Sequence, residues 1–442
     1  MKCSIFPKSL SMPTQFLFAL ALLYALAYPW SCSWAMQGKD GYFTDELPYD
    51  PPAIYLTWQR NPSKTMTVQW IVHQNEIQDF IEFRASKDKN LWRGMHAEGI
   101  ALPGLKRYQL YRAELVNLLP NTEYVFRIGS NGKKYKFLTA PLDLTSPLTF
   151  AVGGDIYHDY ISSVMETNMH VAKTSPLFVL AGGDLAYTGG KLAQITDGLF
   201  LWMSDLFFGS TKMRNNDRWI EFFTTYKKTM ITPKGHLIPI IPAIGNHEVH
   251  GAYERSSKDA ALFYTFFPFP GEKGRNVLDF GDYLSIFVMD SGHTHPIAGE
   301  QTEWLATTLL SRKKVPHKFA LYHVPAYPCV RNMNNKRSNL VREYWVPLFE
   351  AHGIVAAFEH HDHAYKRTHK IRNDKIDPSG VLYLGDGAWG VAQPRYPDTS
   401  ANRWYLAKTA ARRHFIKMTL HGSHRKAEAI DSNGQIFDEV EF

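Results

Sequence analysis

Cysteine is scarce in this chain, and its scarcity excludes two kinds of site. The 442 residues include Cys3, Cys32 and Cys329 as the only cysteines. The first two lie in an N-terminal segment that has the features of a secretory signal, so Cys329 would be alone in the mature chain. One cysteine cannot form an internal disulfide. The candidate site described below contains no cysteine, which argues against a structural zinc knot and an iron–sulfur cluster.

Long basic runs and glycosylation sites are also absent. The formal net charge of +7 favours anionic ligands in general, but no recognised motif indicates nucleic-acid binding. The only Asn-x-Ser triplet begins at Asn61 and has Pro62 in the middle, which makes it a poor acceptor. With the single mature cysteine, this favours a bacterial periplasmic or secreted protein.

Residues 1–35 predict a cleaved signal peptide. Lys2 and Lys8 precede the apolar run 16–27, and small residues follow at 33–35. A membrane anchor is the alternative, but the run is shorter than the roughly 20 residues of a bilayer span. We therefore expect a secreted or periplasmic protein without a stable membrane span. Cleavage would remove two of 49 basic residues, leaving 47 against 42 acidic ones, or +5.

The next segments predict a linker over residues 36–52 and a small all-β sandwich over 53–141. Residues 65–70 alternate polar and apolar side chains, which is typical of a half-buried strand. Residues 124–128 and 135–138 flank Asn131-Gly132 as a hairpin would. No catalytic cluster occurs here, so this domain is expected to serve as a spacer or a binding wall.

From residue 146 to 442 the pattern changes to that of an α/β domain. Short apolar runs alternate with stretches of helical spacing, such as 302–310 and 340–350, and Gly353 suits a helix end. The apolar runs are 148–152, 177–180, 237–244, 284–289, 319–322, 354–358 and 381–384.

Five of these runs lead into residue types that bind metals. In open α/β sheets, ligands bind beyond the carboxyl ends of the strands, so these distant segments are expected to converge. A single Asp in such a place is usually a turn former or helix cap, but five segments in order predict a metal site. Oxygen and imidazole donors suit Zn, Fe, Mn or Ni. The donor candidates at the run ends include Asp155, Asp184, Tyr187, Asn246, His323, His361 and His363.

The order of these motifs and the residues within them resemble those of the calcineurin-like metallophosphoesterases, and among these the purple acid phosphatases. Tyr187 in Gly183-Asp184-Leu185-Ala186-Tyr187 is the residue that distinguishes the purple acid phosphatase pattern from that of the wider superfamily. The resemblance covers nearly all of the mature chain. It implies a fibronectin type III-like sandwich ahead of a catalytic domain with two β-sheets flanked by helices.

The resemblance also implies the ligand sets of two metal ions. Asp184 would bridge them. The first metal, expected to be Fe(III), would be held by Asp155, Asp184, Tyr187 and His363. The second, expected to be Zn, Mn or Fe(II), would be held by Asp184, Asn246, His323 and His361.

The implied activity is hydrolysis of phosphate monoesters, with metal-bound hydroxide as the nucleophile. His247 is the candidate for stabilising phosphoryl oxygens or protonating the leaving group; its alternative role is to support a carboxylate. A phosphodiesterase or nucleotide hydrolase on the same scaffold remains open, as does a non-catalytic phosphate- or polymer-binding protein. Homodimers occur in the family, so a dimer is one expected state.

Three departures from the family pattern concern the substrate pocket. His360 stands where glycine is usual, Met333 stands where plant-type members have a histidine, and Tyr157 stands where a glycine is usual. His293 or His295 could replace the missing acid; the alternative is that both are surface loop residues. The candidate substrate contacts are Asn246, His247, His293, His295, Tyr157 and His360.

Overall fold

The computed structural model describes residues 47–89, 91–189, 216–385 and 387–442. The predicted signal peptide and most of the predicted linker lie outside these ranges. Within them, no helix is both long enough and apolar enough to cross a membrane.

The N-terminal region, residues 53–138, is all β, as predicted. It consists of two four-stranded sheets, with strand orders β1-β2-β6-β5 and β4-β3-β7-β8. Strands β7 and β8 form the predicted hairpin, pairing antiparallel from Glu123↔Leu138 to Phe126↔Tyr135. The strands are β1 Ala53–Thr57, β2 Met66–His73, β3 Phe80–Ala85, β4 Arg93–His96, β5 Glu98–Ala101, β6 Tyr108–Leu115, β7 Glu123–Ile128 and β8 Tyr135–Leu138.

Two larger sheets follow. One has the order β11-β10-β9-β21-β22-β23 and the other β12-β13-β14-β15-β19-β16-β20, while β17 and β18 form a separate hairpin. The strands are β9 Leu148–Gly153, β10 Val179–Ala181, β11 Ile240–Pro242, β12 Asn276–Phe280, β13 Leu284–Val288, β14 His317–Leu321, β15 Ala356–Glu359, β16 Tyr365–Thr368, β17 Ile371–Arg372, β18 Lys375–Ile376, β19 Leu382–Gly385, β20 Leu406–Ala410, β21 His414–His421, β22 His424–Asp431 and β23 Ile436–Glu441.

Helices cover the outer faces of both sheets. Within the described ranges they are α1 Ile161–Lys173, α2 Asp217–Thr229, α3 Ala261–Phe266, α4 Glu300–Ser311, α5 Lys336–Tyr344 and α6 Val346–His352. The stretch 340–350, predicted as one helix, is divided between α5 and α6. Pro347 explains the break, because proline lacks an N–H and fits only the first turn of a new helix. Gly353 ends α6 with φ 72°, as predicted.

The inner faces of the two sheets pack against each other through aromatic and aliphatic side chains. The ring of Phe150 on β9 lies 5.7 Å from that of Phe319 on β14 and 6.3 Å from that of Phe358 on β15. These side chains are fully buried. A buried two-sheet core of this kind removes apolar surface from water on both sheets at once. The predicted two-sheet sandwich flanked by helices is confirmed.

The all-β region docks on the larger sheets by specific contacts. The ring of Tyr55 stacks on Phe223 of α2 at 3.9 Å, and its hydroxyl donates to the carbonyl of Phe266 at 2.9 Å. Thr57 donates to the carbonyl of Ile240 at 2.7 Å. Buried polar groups that find partners across such a contact hold the sandwich in one orientation.

Candidate metal centre

The ends of parallel strands bring the predicted donors together. Strands β9, β10 and β11 run parallel in one sheet, and β13, β14, β15 and β19 run parallel in the other. Their carboxyl ends therefore lie at one edge of the sandwich. The side chains that follow these ends are Asp155 after β9, Asp184 and Tyr187 after β10, Asn246 after β11, His323 after β14, and His361 and His363 after β15.

One group of donors gathers around Asp155. Its Oδ1 accepts a hydrogen bond from the Tyr187 hydroxyl at 2.8 Å and lies 2.8 Å from Nε2 of His363. The Tyr187 hydroxyl is 3.3 Å from the same ring nitrogen. The other carboxylate oxygen of Asp155, Oδ2, accepts a hydrogen bond from the backbone N–H of His361 at 3.0 Å, which orients the carboxylate.

A second group gathers around His323. Its Nε2 lies 3.3 Å from Oδ2 of Asp184, 3.1 Å from Oδ1 of Asn246 and 3.2 Å from Nδ1 of His361. Its Nδ1 donates to the carbonyl of Gly182 at 2.8 Å, which turns Nε2 towards the cluster. The donor atoms of Asp184, His323 and His361 all lie within 4.8 Å of one another, as ligands of one ion would.

The backbone at these positions is strained. Asp155, Asp184, Tyr187, His361 and His363 all have positive φ, between 54° and 78°. Left-handed backbone at a non-glycine residue costs on the order of 1–3 kcal/mol and clusters at functional sites. Five such residues in one cluster indicate that local backbone strain is tolerated here because it directs these side chains towards one another.

The electrostatics of the cluster suit cations. Burial opposes ionisation of Asp184, yet the nearby histidines, His323 first, hold the pKa of its carboxyl well below its usual value. Burial also disfavours the charged form of His323, but the charge of Asp184 raises the pKa of that imidazole to about 9. Oδ2 of Asp184 is buried and, within the described ranges, has no hydrogen-bond partner beyond the 3.3 Å approach of His323. A buried carboxylate oxygen without a partner is costly and is satisfied by a metal ion. The residues therefore fit the dinuclear centre.

His247 borders the cluster on its solvent side. Its backbone N–H donates to Oδ1 of Asp184 at 2.7 Å, and its Nδ1 lies 2.8 Å from the carbonyl of Gly189. The ring stacks on Tyr187 at 4.4 Å, and Nε2 lies 4.0 Å from Oδ2 of Asp184. About a third of the side chain (34%) is exposed, so the ring is open to a ligand.

Four of the six predicted substrate contacts are buried: the donor Asn246, and Tyr157, His293 and His360. The hydroxyl of Tyr157 pairs with Glu221 on α2. The ring of His293 is fully buried, with Nδ1 3.0 Å from the carbonyl of Ala252. His360 is also fully buried and offers no surface to a substrate.

The His360 ring occupies a space between two glycines. A Cβ on Gly182 would come within 1.7 Å of the ring, and a Cβ on Gly154 within 2.8 Å. The extra side chain at this departure from the family pattern therefore points into the protein. Among the residues that the structure describes, neither buried ring nitrogen has a hydrogen-bond partner.

His295 differs from these residues, because a quarter (24%) of its side chain is exposed. Its Nδ1 lies 3.5 Å from Oδ2 of Asp290.

Two residues that support the cluster were missed by sequence reasoning. The carboxylate of Glu248 accepts from the backbone N–H groups of Asp184, Leu185 and Gly245 at 2.7–2.9 Å, which clamps two strand ends together. The hydroxyl of Tyr253 lies 3.2 Å from Nε2 of His361. Glu248 directly follows the candidate His247 in the sequence, but nothing in the sequence around Tyr253 points to its contact with His361.

A two-sheet core with carboxylate, imidazole, amide and phenol donors at its strand ends defines the class of metallophosphoesterases. The family model described as "Purple acid Phosphatase, N-terminal domain" matches residues 51–139, and that described as "Calcineurin-like phosphoesterase" matches residues 148–365. The chain belongs to the calcineurin-like phosphoesterases of purple acid phosphatase type, and it is an enzyme, a metal-dependent phosphoric ester hydrolase.

Individual relatives are distant. Purple acid phosphatase 18 of Arabidopsis thaliana is 25% identical over 386 residues, which cover 82% of this chain and 77% of that protein. Uncharacterized protein Rv2577 of Mycobacterium tuberculosis (strain ATCC 25618 / H37Rv) is 24% identical over 430 residues, covering 82% and 72%.

Solved structures share the fold. The purple acid phosphatase PPD1 from yellow lupin (Lupinus luteus) seeds has a TM-score of 0.66 at 17% identity, over 88% of this chain and 73% of that one. A structure of PhoD has a TM-score of 0.62 at 13% identity, over 90% and 94%. At these identities the likeness concerns the fold alone.

Proposed function

We propose that this protein is an exported phosphatase that hydrolyses phosphate monoesters at a dinuclear metal centre. One observation carries the proposal: two groups of buried donors, one around Asp155 and one around His323 and Asp184, are joined by the hydrogen bond from the backbone N–H of His361 to Oδ2 of Asp155. Asp155, Asp184, Tyr187 and His363 would hold the first metal, for which Fe(III) suits the phenol oxygen. Asp184, Asn246, His323 and His361 would hold the second, as Zn, Mn or Fe(II).

The chain's own residues divide the remaining work. Bound metals supply Lewis-acid stabilisation of phosphoryl charge and lower the pKa of water. His247 is placed to bind a phosphoryl oxygen or to carry a proton at Nε2, because its Nδ1 is engaged with the carbonyl of Gly189. Glu248 keeps the strand ends that carry Asp184 and Asn246 at fixed separation through three backbone hydrogen bonds. Preorganisation of this kind is the main protein contribution to phosphoryl chemistry.

The test combines metal content, visible spectrum and turnover of the exported protein. We expect two metal ions per chain, and a higher kcat/KM for 4-nitrophenyl phosphate than for bis(4-nitrophenyl) phosphate. Preference for the diester would keep the two-metal hydrolase and replace the monoester assignment by a phosphodiesterase. A folded sample that binds no metal and turns over neither substrate would refute the proposal.

A further inference from the structure

Two arginines that no sequence motif singles out border the metal centre. Arg331 lies in the loop after β14, and Arg395 lies in the loop after β19. Nη2 of Arg331 donates to the carbonyl of His361 at 3.1 Å. The backbone N–H of Arg395 donates to the carbonyl of His363 at 2.9 Å. Each arginine is therefore attached to the backbone of a candidate metal ligand.

The two loops are locked together. The backbone N–H of Asp398 donates to the carbonyl of Cys329 at 2.7 Å. The guanidinium of Arg403 donates to the carbonyl of Pro328 at 2.9 Å and to that of Arg331 at 2.6 Å. These contacts fix the separation of Arg331 and Arg395 before any ligand binds, which reduces the entropy lost on binding.

The charges of this arginine pair are not balanced. Arg331 has a carboxylate neighbour, since its Nε lies 3.4 Å from Oδ1 of Asp362. Within the described ranges, the half-buried guanidinium of Arg395 makes no ion pair or hydrogen bond. Burial first, and then the positive charge of Arg331, lowers the pKa of Arg395. The two arginines thus carry two positive charges against one paired carboxylate, that of Asp362, and this surplus of positive charge favours an anion.

We propose that Arg331 and Arg395 form a second anion subsite, which binds a negatively charged group on the leaving portion of the substrate. This inference rests on the proposed phosphatase function and adds its substrate class: phosphate esters whose leaving group carries its own carboxylate or second phosphate. A carboxylate and a phosphate both present oxygen pairs that a guanidinium can bind. The phosphate that is hydrolysed would be bound by the metal centre and His247.

Three substrates with the same three-carbon skeleton separate these roles. Glycerol 3-phosphate has a neutral leaving group, 3-phosphoglycerate has a carboxylate, and glycerol 1,3-bisphosphate has a second phosphate. In the metal-loaded wild type we expect the charged substrates to have the higher kcat/KM. The substrate preferred most strongly identifies which anion the subsite accepts.

The Arg395→Gln variant tests the subsite directly. We expect kcat/KM for the charged substrates to fall by about tenfold to a hundredfold, mainly through KM, since a charge-assisted hydrogen bond is lost. Glycerol 3-phosphate should change by less than about threefold, and Arg395→Lys should restore part of the loss. The matched control is Arg60→Gln, which removes an equal charge from an exposed position on the sandwich.

Different failures have different meanings. Equal losses on all three substrates would overturn the inference, because Arg395 would then act on the scissile phosphate or on the fold. No loss on any substrate would overturn it as well. In both cases turnover of glycerol 3-phosphate leaves the proposed phosphatase function intact. A wild type that binds metal but turns over none of the three would refute both. Melting temperatures of the variants separate loss of binding from loss of folding.

Discussion

The hydroxyl of Tyr253 lies 3.2 Å from Nε2 of His361. Nδ1 of the same ring faces Nε2 of His323 at 3.2 Å. The hydroxyl also lies 3.4 Å from Oδ1 of Asn246, and the guanidinium of Arg337 covers the Tyr253 ring at 3.6 Å. Tyr253 thus contacts Nε2 of His361, while Nδ1 faces the donor cluster. Such outer contacts orient metal ligands and tune their basicity.

Replacing Tyr253 with phenylalanine should weaken the second metal site. We expect affinity for the second metal to fall by about tenfold to a hundredfold, because His361 loses its orienting partner. Metal titration followed by calorimetry measures the change. Tyr160→Phe is the control, since the Tyr160 side chain is exposed at the start of α1. Unchanged second-metal affinity in Tyr253→Phe would show that the hydroxyl does not position His361.

Replacing Tyr187 with phenylalanine should abolish the visible absorption band of an Fe(III) form. The band requires a phenolate oxygen on the iron, and the Tyr187 hydroxyl is 2.8 Å from Asp155 and 3.3 Å from His363. The matched control is Tyr157→Phe, whose hydroxyl contacts Glu221 and should leave the band unchanged. A band that persists in Tyr187→Phe would place the phenolate elsewhere.

Replacing His247 with alanine should lower kcat for phosphate monoesters by about a hundredfold or more, the usual contribution of a positioned acid or oxyanion contact. Metal content should be unchanged, because the contact with Asp184 is made by the backbone N–H of residue 247. His250→Ala controls for loss of a nearby exposed imidazole. If metal is lost along with activity, His247 supports the ligand Asp184 and has no direct role in chemistry.

Replacing Asp438 with asparagine should destabilise the C-terminal strand β23. Asp438 accepts from Arg367 at 2.7 and 3.0 Å and from the Tyr365 hydroxyl at 2.7 Å. We expect the free energy of unfolding at pH 7 to fall by about 1–3 kcal/mol, the value of hydrogen bonds to a charged group. Chemical denaturation measures it, and Glu441→Gln on the same strand should change little.

The Asp438 effect should depend on pH with a defined sign. Burial raises the pKa of this carboxyl, but the hydrogen bonds from Arg367 and Tyr365 outweigh burial and hold the pKa below its usual value. Stability from a carboxyl with a lowered pKa is fully present above its unfolded pKa of about 3.9 and is lost as the pH falls through the folded value. The difference between wild type and Asp438→Asn should therefore narrow below about pH 4. A difference constant from pH 7 to pH 3 would contradict this.

Much of the fold could be predicted because many of its buried strands coincide with short apolar runs in the sequence. Buried parallel strands need apolar side chains on both faces, so runs such as 319–322 and 354–358 stand out from the helical stretches. The error at 340–350 came from treating Pro347 as part of one helix, although proline favours the first turn of a new one.

The sequence by itself determined the class of protein and predicted the donor residues, because each candidate donor follows shortly after a recognisable apolar run. Only the tertiary structure decided which side chains surround those donors. Tyr253 and Arg395 reach the centre from loops whose course depends on long-range packing, and His360 turns inwards because two glycines leave it space. Contacts between residues far apart in sequence leave no local period or spacing, so only folding brings them into view.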